Sequence, residues 1–101
     1  MARITRTWLS RKDLRDIGKH IARESQSLDV AERFLESIED KCALYATRPE
    51  LGELCPDLGK HVRPFSVGSY VVLYRPIPKG IQVLRVVHGS RDIPSVWRGE
   101  A

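Results

Sequence analysis

Residues 81–87 read IQVLRVV, with apolar side chains at odd and even positions alike. Side chains alternate between the two faces of a strand, so this one needs cover on both sides and belongs in the interior of a sheet. Its natural partner is the run 69–75, SYVVLYR, which puts Tyr70, Val72 and Tyr74 on one face and Val71 and Leu73 on the other. The intervening PIPKG, residues 76–80, turns the chain and predicts a hairpin with a five-residue loop. Simple alternation places Arg85 with Ile81, Val83 and Val87, and His88 with Leu84 and Val86.

Upstream, the pattern is helical. Ile4, Thr5, Thr7 and Trp8 suggest a first strand near residues 2–8. Ser10 then reads as an N-cap, with Asp13 in the first turn. Leu14, Ile17, Ile21 and Ala22 follow at helical spacing to about Glu24, with Arg11, Lys12, Arg15, Lys19 and Arg23 facing water. After the break Ser25-Gln26-Ser27, capped by Ser27 or Asp29, a second stripe runs through Ala31, Phe34, Leu35, Ile38, Cys42 and Tyr45 and stops before Pro49. Helices joined so closely form an antiparallel hairpin. Residues 49–59, PELGELCPDLG, are loop, and 60–65 is a further strand candidate. The order β-α-α-β-β-β predicts an α+β two-layer sandwich, a helical hairpin packed on a mostly antiparallel, twisted sheet.

The length of 101 residues fits one domain, spanning 1–101. A hydrophobic content of 42% with 30% charge fits a folded, water-soluble chain. No apolar run is long enough to cross a bilayer and no secretion signal is visible at the start, so the cytoplasm is expected. Cys42 and Cys55 lack partners at ligand spacing, so neither a metal nor another cofactor is expected. The 17 basic residues, twelve of them Arg, outnumber 13 acidic ones and favour an acidic partner.

HVRPFSVGSYVVLYRP followed by IQVLRVVHGSRD, after the capped helix, the Phe34/Leu35/Ile38 helix and RPELGELCPDL, resembles the RelE/ParE superfamily of type II toxin–antitoxin toxins. The ParE branch, which includes plasmid-stabilisation proteins, is the nearer. The resemblance implies a toxin without catalytic residues that poisons DNA gyrase by binding. It further implies a cognate antitoxin whose C-terminal segment wraps this chain in a hetero-oligomer and carries any contact with DNA. The RelE branch implies the alternative, a ribosome-dependent mRNA endoribonuclease. A third possibility is an adaptor that keeps only its antitoxin contact.

These readings diverge at residues 86–97, VVHGSRDIPSVW. Metal-free RNA cleavage needs groups that transfer protons and cations that stabilise the phosphorane-like charge. Laid on this chain, the nuclease pattern puts its tyrosine at Trp97, whose indole cannot titrate near neutrality. His88 could transfer protons. Its nearness to Ser90 and Asp92 does not by itself make a triad, which is defined by geometry rather than adjacency. Arg85 in an apolar strand demands either an ion pair, with a helix carboxylate or Asp92, or a place on an open basic face. Arg63, Arg85, His88, Arg91 and Trp97 are therefore the candidates for contact with the target or the antitoxin. Asp92 reads as the cap of a short helical turn with Trp97 as a lid. An exposed sheet edge and an apolar groove on the hairpin are the expected docking places.

Overall fold

Thr7 closes the first strand and opens the first helix. The computed structural model describes residues 2–98. Strand β1 (Arg3–Arg6) leads into α1 (Trp8–Ser25), whose N-cap is Thr7 rather than Ser10. The Thr7 hydroxyl oxygen accepts the Ser10 N–H (3.1 Å), and the buried Ser10 hydroxyl donates back to the Thr7 carbonyl (2.8 Å). Ser10 resembles a cap in sequence because it has the same hydroxyl, but here it serves the cap from inside the helix. Gln26, in the left-handed region at φ 55°, ends α1, and the Ser27 side chain caps α2 (Leu28–Thr47).

Beyond two single 3₁₀ turns at Pro49–Leu51 and Pro56–Leu58 come β2 (Arg63–Val67), β3 (Tyr70–Ile77) and β4 (Gly80–His88), then the short helix α3 (Ile93–Arg98). The sheet order is β1-β4-β3-β2, with β1 parallel to β4 and the other pairs antiparallel. β4 is central, as its two-sided apolar pattern requires. The hairpin loop is two residues, Pro78 and Lys79, rather than five. Pro78 fixes its own φ and Lys79 supplies a positive φ of 66°. Pro76 is tolerated inside β3 because β2 pairs only as far as Tyr74, which leaves that side of the strand free. Gly80 sits where β1 crosses closest: a Cβ there would lie 1.8 Å from the Arg3 carbonyl oxygen.

The helical hairpin covers one face of the sheet. Ile17, Ile38, Cys42 and Ala46 pack there against Phe65, Val67, Val72, Tyr74, Ile81, Val83 and Val86. The stacked Tyr45–Phe65 pair, ring centroids 4.2 Å apart, sits beside Tyr74. The opposite face is not open. Leu58 and Val62 from the loop, with Cys55, Ile93 and Trp97, pack over Leu73, Val71 and Leu84.

Alternation fails in the middle of β4. Leu73 pairs with Arg85 while Tyr74 pairs with Val83, so Leu84 is an extra residue, a β-bulge. Before it, Ile81 and Val83 face the helices; after it, Val86 does, and Leu84 joins the opposite cluster. The groupings of Arg85 with Ile81 and Val83, and of His88 with Leu84, are thereby corrected.

Candidate partner-binding site

β1 pairs with β4 only over residues 80–83, leaving 84–88 without a strand neighbour on that side. Two side chains take the missing strand's place. Thr7 donates its N–H to the Val83 carbonyl (3.0 Å) and its hydroxyl to Leu84 (2.7 Å). Asp13, on α1, accepts from the Val86 N–H (2.9 Å) and holds Arg85 with two prongs, Nε–Oδ2 at 2.7 Å and Nη2–Oδ1 at 3.1 Å. Bonding to this carboxylate pushes the Arg85 pKa further up. The strand arginine is thus paired with a helix carboxylate, one of the two partners expected for it. Three donors thus share one carboxylate at the bulge.

A groove of about 360 Å³ lies along this edge, between α1 and the end of β4. Asp16 and His20 come from α1, Tyr70 from β3, and His88 and Arg91 from the strand end and the turn after it. The Asp16 carboxyl is held below its ordinary range chiefly by its hydrogen bond to Lys12. Three of the five residues singled out in the sequence, Arg85, His88 and Arg91, therefore meet in one groove, and Arg85 is already committed to Asp13.

Arg63 and Trp97 lie elsewhere. Arg63 donates from Nη1 to the Gly52 and Glu50 carbonyls and so fastens the loop to β2. Trp97 packs against the Leu58–Val62–Leu73 cluster, on the sheet face rather than over its edge. The open basic face considered for the arginines is thus an apolar, covered one. Asp13, Thr7 and His20 were not among the candidates. Only Asp13 had a signal in the sequence, the unpaired arginine in an apolar strand.

His88 and Ser90 do meet: Nδ1 lies 2.7 Å from the Ser90 hydroxyl and also accepts the Ser90 backbone N–H at 3.1 Å. Both belong to one exposed turn. Asp92 bonds instead to the Ser95 hydroxyl (2.9 Å) and N–H (3.4 Å), capping α3. The Ser-His-Asp grouping therefore does not form a relay. Among the described residues, no three His, Cys, Asp or Glu side chains are placed to hold a metal ion.

A second groove, also about 360 Å³, runs along the helical hairpin. Gly18, Ala22, Ala31 and Leu35 form its floor, and Leu28 at its end is 74% exposed. Its rim carries Arg15, Lys19 and Arg23, facing only Glu32. The ion pairs found among the described residues use none of these three bases.

Fold and grooves together define a two-layer α+β module whose polar and apolar grooves both lie open on its surface. The chain belongs to the ParE toxin family: the family described as "ParE toxin of type II toxin-antitoxin system, parDE" matches residues 4–93. A solved structure, "Chromosomal ParDE TA system from P. aeruginosa", is similar at a TM-score of 0.72 and 20% identity, over 87% of this chain and 96% of that one. At that identity the likeness speaks for the fold. No curated protein matches the chain in sequence. No helix among the described residues is long and apolar enough to cross a membrane.

Proposed function

We propose that this chain is a ParE toxin that acts by binding DNA gyrase, without catalysis of its own, and is neutralised by a cognate antitoxin in the cytoplasm. The observation that carries the binding reading is the apolar cluster sealed by Trp97. The nuclease alternative puts its proton-transferring tyrosine at that position, and the indole there is packed on Leu58, Val62 and Leu73. A group without a titratable proton, surrounded by aliphatic side chains, cannot pass protons to a leaving oxygen. The mechanism is then a shift in the populations of gyrase toward its DNA-cleaved state.

The antitoxin's contact is assigned to the grooves. An amphipathic helix with small apolar residues on one side and carboxylates beside them suits the hairpin groove, whose apolar floor is flanked by Arg15, Lys19 and Arg23. His88 and Arg91 offer polar contacts at the strand edge for the rest of the segment. Arg85, Arg63 and Trp97 contribute by holding the strand end, the loop and the second face in place.

Purified protein incubated with gyrase, ATP and supercoiled plasmid is expected to accumulate linear, cleaved DNA at micromolar concentration. Absence of cleavage with active gyrase overturns the gyrase assignment. Cuts at fixed codon positions on translating ribosomes, read by primer extension, would put the endoribonuclease in its place.

A further inference from the structure

The loop between α2 and β2 enters that reading only through its buried side, Leu58 and Val62, and its outer side is built in an unexpected way. Residues 49–59 carry Glu50, Glu53 and Asp57 and no base, in a chain of net charge +4. All three carboxylates are exposed, and none has a cation within ion-pair distance among the described residues. The segment is anchored from below. The buried Tyr74 hydroxyl donates to the Pro49 carbonyl (2.6 Å) and accepts the Gly52 N–H (3.1 Å), while Arg63 grips the carbonyls of Glu50 and Gly52. A Cβ at Gly52 would lie 2.5 Å from the Tyr74 oxygen, so the docking admits glycine alone. From this fastened backbone Leu51 and Leu54 stand 48% and 57% exposed. Leu54 borders a hollow of about 310 Å³ shared with Pro56, Gly59 and Lys60.

A loop held rigidly, with two leucines kept in water and one of them beside a hollow, is prepared for contact rather than for packing of its own. We propose that Leu51, Leu54 and the adjoining hollow form a second docking surface, whose occupant is a basic, apolar patch on the toxin's target protein. The charges choose the occupant. The hairpin groove has a basic rim and suits an acidic segment, whereas Glu50, Glu53 and Asp57 repel such a segment and attract lysines and arginines around an apolar anchor. The inference rests on the reading of this chain as a toxin that acts by binding, and it places the target on a different surface from the antitoxin.

The test is a double dissociation in the full chain. Leu51→Ser/Leu54→Ser and, separately, Glu50→Lys/Glu53→Lys alter exposed side chains only, so the melting temperature is expected to stay within a few degrees of the parent. Each is expected to abolish growth arrest on expression and to weaken gyrase-dependent cleavage at least about tenfold, with antitoxin affinity within about twofold of the parent. Arg15→Glu/Lys19→Glu is expected to do the reverse, losing the antitoxin and keeping the arrest. Full arrest by both loop variants overturns the proposal, and so does loss of antitoxin binding in step with the arrest. A parent chain that never slows growth overturns the proposal together with the reading beneath it. A parent that arrests growth without cleaving DNA overturns gyrase as the target, and the loop variants still decide whether this surface meets the target that remains.

Discussion

The two faces of the sheet are covered by different means. The helical hairpin lays two regular stripes on one face and buries Ile17, Ile38, Cys42 and Ala46 against seven strand residues. The other face is covered by a loop and a six-residue helix, which bury Leu58, Val62 and Leu73, with Val96 of the helix itself, and leave Trp97, Ile93 and Cys55 half-buried. The first cover is periodic and cooperative. The second is assembled from irregular backbone that must be fastened by Tyr74, Arg63 and Asp92. Stability is therefore expected to concentrate on the helix side and recognition to be free to vary on the other.

The largest effect expected is that of Ile38→Ala, 1% exposed between helix and sheet, which should cost about 3–4 kcal/mol in denaturant unfolding. A loss no greater than that of Leu58→Ala would break the comparison. Alkaline titration comes next. Burial pushes the Cys42 thiol up to about 11. An unfolded chain releases that proton near pH 8.5, so the contribution is complete below that value and is lost as pH rises through 11, up to about 3 kcal/mol in all. Tyr74, also raised by burial, acts in the same direction at higher pH. Cys42→Ala should flatten the alkaline limb of the stability curve, and a thiol reagent at pH 8 should label Cys55 while sparing Cys42 until the protein unfolds.

Asp13→Ala probes the seam between the faces. It leaves the Arg85 charge and the Val86 N–H without their acceptor, and about 2–3 kcal/mol of stability should go. A cost under half of that would mean that water replaces the carboxylate at the strand edge. On the second face, Leu58→Ala and Trp97→Ala should each cost about 2 kcal/mol, because their surroundings can relax. Amide exchange should then quicken in α3 before it does in α2. Arg91→Ala is the smallest, within about 0.5 kcal/mol in stability, while weakening antitoxin binding measured by calorimetry.

Periodicity made the helix side readable. Ala31, Ile38 and Cys42 at helical spacing, and Tyr70, Val72 and Tyr74 at strand spacing, each place one face without reference to the rest of the chain. The bulge was not readable, since an extra Leu84 among apolar neighbours leaves no mark in composition. Its partner Asp13 was anticipated only as a class, a helix carboxylate that Arg85 would require. The loop cover escaped because Leu58 and Val62 obey no period. His88 and Arg91, singled out as contact candidates, lie beside one groove, whereas Arg63 and Trp97, singled out for being polar or aromatic, are absorbed into the frame.

The bulge also bears on how such a chain can change. Everything C-terminal to Leu84 in the strand is offset by one in its alternation by that inserted position. Deleting that one codon would restore simple alternation and take a leucine from the second face, while Val86 and His88 would stay on the side they occupy now. A lineage could therefore lose the irregularity in one genetic event and keep the side chains offered at that corner on the sides where they now stand.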